Sequence, residues 1–209
     1  MLQKETVNKG TIELIAKLQS CDYLQGFVLA RGTALALQIG HRQSIDIDLF
    51  SKESFKEDLL LQELEKDFGF SVDMIDENTL KGSINNIKTD ILTHPYKDVY
   101  EPHLFGNILL FGKEDIAAMI INAISVSGNR SKDFIDIYFL LDFFTIEQMI
   151  GFYLSKYSQR NPFHAIKSLI YFDDISTKDW PVMIKNPDLR LSQVKKRIEE
   201  EANKYLQHL

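Results

Sequence analysis

Asp46 and Asp48 stand two residues apart in SIDIDLF, an otherwise apolar run in which carboxylates are poor strand residues. Residues i and i+2 of a strand share a face, with Cα atoms roughly 6.6 Å apart, so both carboxylates can converge on one hard cation. Mg²⁺, or Mn²⁺ with similar oxygen preference, suits such a pair because it keeps part of its water and completes its shell with substrate phosphates. Asp90, in IKTDILT, shares a strand face with Lys88 and Leu92 and offers a third acid. Three carboxylates on one side of a sheet repel one another unless a cation sits among them. An isolated D-x-D is more often a solvated strand face, and that reading stands beside the metal site. Upstream, Gly32 and Thr33 follow a strand-like run and open a helix-like one. Backbone N–H groups at such a helix start can hold a phosphate. Phosphate turn, short helix, paired acids and third acid form the layout that two-metal phosphoryl or nucleotidyl transfer needs.

The elements that must position these residues can be read from periodicity. ETVNKGTIELIAKLQS gathers Ile12, Ile15 and Leu18, with Leu14 beside them, on one helical face. GFVLA reads as a buried strand, TALALQIGH as a short helix closed by Gly40 and His41, and SIDIDLF as a strand. Its alternation sets Ile45, Ile47 and Leu49 opposite Asp46, Asp48 and Phe50. Ser54 and Glu57 have capping-box spacing before a helix with Phe55, Leu59, Leu60 and Leu64 as its apolar stripe. FSVDMI, TLKGSI and IKTDILT predict three strands, the last two joined through Asn85-Asn86, residues that tolerate the positive φ of a tight turn. From Lys113 onward the pattern is helical: KEDIAAMIINAISV, SKDFIDIYFLLDFF, IEQMIGFYLSKY, PFHAIKSLIYF and RLSQVKKRIEEEANKYLQHL. The expected fold is α+β, a small mixed sheet flanked by helices in residues 1–110 followed by a helical region in 111–209.

Composition narrows the function classes. With 209 residues, 44% hydrophobic and 26% charged, the chain has the make-up of an ordinary globular protein. No run approaches the roughly 18 apolar residues of a membrane span, and the opening MLQKETVNKG is polar, so a cytoplasmic protein with no membrane partner is expected. Cys21 is the only cysteine, which excludes an internal disulfide and a cysteine-based zinc site. None of the five histidines pairs at i, i+4 spacing, so a histidine metal site is not expected. A net charge of −6 confines any nucleic acid contact to a local patch. Asp173-Asp174 read as a helix terminus or loop, KKRIEEE as a solvated helix face, and Tyr138, Phe139, Phe143 and Phe144 as core.

ARGTALALQIGHRQSIDIDLF resembles the opening motif of the AbiEii/AbiGii nucleotidyltransferase toxins, within the DNA polymerase β-like nucleotidyltransferase superfamily. That family reads G-G-T-A-L, a short helix, R-x-S and D-x-D-L-F, which matches Gly32, Thr33, Arg42, Ser44, Asp46 and Asp48 position by position. The resemblance continues through Asp90, EDIAAM, RSKDFIDIYFLL and SLIYFDD. It implies a nucleotidyltransferase fold and a donor NTP held through Mg²⁺ on Asp46 and Asp48, with the nucleotide on Gly32, Thr33, Arg42 and Ser44. Asp90 would be the third catalytic acid, deprotonating the acceptor hydroxyl or holding a second metal. It also implies an RNA acceptor, tRNA in particular, and a cognate antitoxin.

Two positions depart from the pattern. Arg31 replaces the first glycine, where a side chain either obstructs backbone approach to phosphate or itself binds one. Ile120 stands where a lysine contacting the donor phosphates is expected, which removes a positive charge. Lys132, oriented by Asp133, is a candidate replacement; the alternative is an ordinary helix start with acids at its positive end. Arg42 has two readings as well, a triphosphate ligand or the partner of an acid across the turn. Three function classes follow: a nucleotidyltransferase acting on RNA, a catalytically degenerate member that binds nucleotide, RNA or a protein, and a transferase acting on a protein hydroxyl or an aminoglycoside-like small molecule.

Overall fold

The computed structural model describes residues 2–158 and 161–207, which leaves His208 outside the described residues. It is a mixed α/β structure whose chain divides into two packed units. The first holds the described residues up to 40, with 44–96 and 102–111; the second holds 41–43, 97–101 and the described residues from 112 onward.

In the first unit, the Asn8 side chain accepts from Gly10 N–H at 2.9 Å and starts α1 (Lys9–Gln19), which buries Leu14, Ile15 and Leu18. There follow β1 (Val28–Leu29), α2 (Arg31–Ile39), β2 (Ile47–Ser51), α3 (Glu57–Phe68), β3 (Ser71–Asp76), β4 (Thr79–Ile84), β5 (Ile87–Thr93), β6 (His103–Phe105) and β7 (Ile108–Leu110). The strands form one sheet in the order β3-β4-β5-β2-β1-β7-β6. β2 runs parallel to β5 and β1 parallel to β7, while the other neighbours are antiparallel. Leu29, Leu49, Leu80, Ile91 and Leu110 are fully buried, together with Leu35 and Leu37 of α2. Asn85 and Asn86 take φ of 51° and 63°, the double left-handed turn that joins β4 to β5.

Two local expectations are corrected, and two further features lie beyond what the sequence pattern showed. β2 begins at Ile47, and Ile45 is 63% exposed rather than part of the apolar face. The reason is that residues 44–46 are held by loop bonds, Ser44 N–H to the Thr6 carbonyl and the Thr33 hydroxyl to the Asp46 carbonyl, instead of by a strand neighbour. No Ser54 capping box forms, because α3 starts after Lys56 and the Glu57 carboxylate accepts from Asn78 N–H in the β3–β4 turn. β3 lies at the sheet edge with every residue exposed, Val72, Met74 and Ile75 included. The β6–β7 hairpin turns at Gly106, φ +63°, between strands too short for alternation to register.

The second unit contains α4 (Lys113–Val126), α5 (Ser131–Leu140), α6 (Ile146–Lys156), α7 (Pro162–Leu169) and α8 (Leu191–Leu206). α5, α6 and α7 all pack on α4, which buries residues around most of its circumference, as suits a helix at the centre of a bundle. Ile120 belongs to that core. Lys156 Nζ lies 2.8 Å from Asp115 Oδ1 with both side chains fully buried, and the same carboxylate accepts from Val99 and Tyr100 N–H at 3.0 Å. α6 begins with a complete capping box between Thr145 and Gln148. Of the four aromatics expected in the core only Phe139 is buried; Tyr138 carries the Arg197 guanidinium 4.9 Å above its ring, and Phe143 is exposed. Among the described residues no helix is long and apolar enough to cross a membrane.

Candidate functional site

The parallel register of β2 and β5 sets Asp48 directly beside Asp90. Neighbouring strands lie about 4.8 Å apart and paired residues share a face, so the two carboxylates occupy one side of the sheet. Asp48 and Asp90 are both buried, and Asp90 Oδ1 has no hydrogen-bond partner. Its other oxygen lies 3.5 Å from Lys88 Nζ. A buried carboxylate oxygen with no donor is an uncompensated cost unless a ligand or ion meets it. Asp46 precedes β2 and is half-buried. Among the described residues no three acidic, histidine or cysteine side chains gather as a ready metal cage. The two adjacent carboxylates nonetheless fit a divalent cation that takes its remaining ligands from water and phosphate, and the orphaned Asp90 oxygen is the observation behind that fit.

Above β2, the chain passes from β1 into α2 through Ala30, whose N–H donates to the Asp48 carbonyl at 2.9 Å. No side chain caps α2, so the N–H groups of its first turn, Gly32 and Thr33 among them, are offered to an external acceptor. The Thr33 hydroxyl faces inward: it donates to the Asp46 carbonyl and lies 2.8 Å from the Ser44 hydroxyl. Thr33 and Ser44 are buried and tie the helix start to the acidic loop, so their side chains serve the position of Asp46.

Arg31 opens α2 at φ +57°, the left-handed region that glycine enters freely and that costs an arginine about 1–3 kcal/mol. This is the position at which the family motif carries glycine. Its guanidinium lies 3.1 Å from Asp48 Oδ1 and 5.0 Å from the centre of the Phe50 ring. Phe50 and Asp48 are two apart on β2, so one face of the strand supplies both the charge and the aromatic platform.

Arg42 pairs with an acid far along the chain rather than across the turn. Its Nε and Nη2 donate to the Asp136 oxygens at 2.6 and 2.8 Å, and His41 Nε2–H donates to the same carboxylate at 2.7 Å, all within the second unit and all buried. Burial pushes the Asp136 carboxyl up, but the Arg42 charge and the bonds from Arg42 and His41 outweigh it and hold the group at about 2. Burial lowers the His41 pKa, with the Asp136 bond opposing, so the ring is neutral near pH 7. Lys132 and Asp133 also belong to the second unit, where Asp133 Oδ2 lies 3.9 Å from Arg130 Nε. Asp173 and Asp174 are exposed in a turn.

Lys81 was not singled out from the sequence, yet β4 pairs it with Asp90. Its signal was present: a two-residue turn at Asn85-Asn86 dictates that register, and counting back along the hairpin sets Lys81 opposite Asp90.

Residues 14–204 match the profile of the family described as nucleotidyl transferase AbiEii toxin, type IV toxin–antitoxin system. An uncharacterized protein of Aquifex aeolicus strain VF5 is 29% identical over 177 residues, which span 80% of this chain and 84% of that protein. A solved Helicobacter pylori structure, assigned as a nucleotidyltransferase, shares the fold with a TM-score of 0.54 at 14% identity, covering 94% of each chain. A second H. pylori structure, JHP933, has a TM-score of 0.46 at 12% identity and covers 96% of this chain and 98% of its own.

Proposed function

The chain belongs to the AbiEii nucleotidyl transferase toxin family, and we propose that it transfers a nucleoside monophosphate from an NTP to an acceptor hydroxyl, with Mg²⁺ or Mn²⁺ held by Asp48, Asp90 and the neighbouring Asp46. The pairing of Asp48 with Asp90, one oxygen of which has no partner, is the observation that carries this reading. When bound, the cation supplies neutralising charge for the triphosphate and the departing pyrophosphate. The uncapped start of α2 holds phosphate through the Gly32 and Thr33 N–H groups. Thr33 and Ser44 keep the Asp46 backbone in place. Asp90, beside Asp48, either accepts the proton of the acceptor hydroxyl, whose oxygen attacks the α-phosphorus as pyrophosphate leaves on the opposite side, or would hold a second cation. RNA, and tRNA in particular, is the proposed acceptor, and the setting is the cytoplasm, with the chain as the toxin partner of a cognate antitoxin.

Calorimetry with ATP, GTP, CTP and UTP in the presence of Mg²⁺ tests the site. Binding is expected to require the cation and to disappear in the Asp46→Ala, Asp48→Ala double variant; equal binding by that variant refutes the assignment. A second reading, nucleotide or partner binding without transfer, is favoured by the Arg31 contact with Asp48 and by the apolar burial of Ile120. Incubation with labelled NTPs and total tRNA separates the two, since any label transferred by the wild-type protein eliminates the non-catalytic reading.

A further inference from the structure

We infer that Arg31 is a resident counter-cation of Asp48, excluding a divalent cation from the free protein and moving onto an incoming triphosphate, so that cation and nucleotide bind together. The inference rests on the proposed transferase reading and concerns how its site is controlled.

Charge is the first reason. The carboxylates of the proposed site, Asp46, Asp48 and Asp90, are already matched by three cationic neighbours: Arg31, 3.1 Å from Asp48, Lys88, 3.5 Å from Asp90, and Lys81, paired with Asp90 in the strand register. A divalent cation added alone leaves an excess of two positive charges on a partly buried face, whereas a cation arriving with a triphosphate does not. Arginine also suits both states. Its planar fork pairs with a carboxylate or a phosphate, and a phosphate can present more charge to it than a single carboxylate does.

Access is the second reason. The Arg31 side chain is 39% exposed while that of Asp48 is 12% exposed, so Arg31 is the more solvent-accessible partner of the pair. It can leave without opening the core. The Phe50 ring, 5.0 Å from the guanidinium carbon, gives the cation a defined seat in the free state. Position 31 is also the first residue of α2, where the uncapped N–H groups are offered to phosphate. A short movement therefore takes the guanidinium from Asp48 toward the place where phosphate docks. The left-handed backbone at Arg31 adds that a glycine would be accommodated more easily here, so the arginine is held despite its local conformational cost.

The test is Mn²⁺ binding followed by the electron paramagnetic resonance of the free ion, with and without α,β-methylene ATP, in wild type, Arg31→Gly and Arg31→Ala. Without nucleotide, both variants are expected to bind Mn²⁺ about tenfold more tightly than wild type, the scale of removing one nearby positive charge from a solvent-accessible site. The nucleotide analogue should tighten Mn²⁺ binding strongly in wild type and much less in the variants. Alanine keeps the backbone penalty and glycine relieves it, so agreement between them assigns the effect to charge. Far-UV circular dichroism and thermal melts verify that each variant is folded. Adding Asp48→Asn to Arg31→Ala should abolish the gained affinity. Equal Mn²⁺ affinity in all three proteins, with cation-dependent analogue binding intact, overturns the role of Arg31 and leaves the transferase reading standing. Absence of cation-dependent analogue binding in every form overturns the transferase reading and this inference with it.

Discussion

Replacing Asp136 by Asn tests the buried cluster that claims Arg42. The native carboxylate receives two bonds from the guanidinium, at 2.6 and 2.8 Å, and one from His41 at 2.7 Å, and Arg42 and Asp136 are 3% and 1% exposed. Asparagine preserves the volume but removes the negative charge, leaving a guanidinium with no countercharge from this position in a site that water barely reaches. Breaking a buried pair in this way costs about 3–5 kcal/mol. Total stabilities of about 5–15 kcal/mol make that a large fraction of what holds the fold. Arg42→Met combined with Asp136→Asn removes both charges and should recover most of the loss, because the penalty comes from the stranded ion. Trp180, the single tryptophan, belongs to the same unit and reports urea unfolding there. A loss below about 1 kcal/mol for Asp136→Asn would refute the electrostatic account on the scale expected of buried pairs. A folded double variant that loses NTP affinity more than about tenfold, or 1.4 kcal/mol, would return Arg42 to the triphosphate.

The same cluster gives a pH dependence. The Asp136 pKa is depressed on folding, so its contribution, about 2 kcal/mol for a fall from 3.8 to about 2, is present above pH 4 and lost as the pH drops toward 2. The His41 pKa is also lowered, so the unfolded chain takes up a proton below about pH 6.5 before the folded one does, and stability should begin to fall there. Urea midpoints measured from pH 8 down to 2 check both, and His41→Gln should remove the upper component and weaken the lower one, because the His41 bond is among those that depress the Asp136 pKa. At the sheet edge, a Cβ added to Gly82 would stand 2.2 Å from the Ser71 carbonyl oxygen and 2.6 Å from the Phe70 ring. Gly82→Ala should therefore push β3 off β4 and destabilise by about 1–3 kcal/mol. Hydrogen exchange over residues 71–84 reads that change, and unaltered protection would refute it.

Much of the candidate site is encoded in short segments. The D-x-D alternation leads into β2, and the Asn85-Asn86 turn carries the β4–β5 register, because side-chain direction in a strand has a period of two and a two-residue turn leaves no freedom of register. Even so, alternation overextended β2 to include Ile45, since loop bonds to Thr6 and Thr33 take over before the strand begins. The Ser54 capping box failed for a similar reason: Glu57 has a competing acceptor role in a turn more than twenty residues away in sequence.

The sequence by itself determined the helices and most strands, the acidic pair with its neighbouring helix start, and the family motif that joins them. Tertiary structure decided which charges meet. Asp48 lies beside Asp90 across two strands, Arg42 is committed to an acid 94 residues onward, Lys156 is buried on Asp115, and Arg31 reaches Asp48 from a left-handed backbone. Periodicity is a local property of the chain and records which face a residue occupies. An ion pair depends on which faces packing brings together and on how much water it removes, and those are set only when distant segments close on one another.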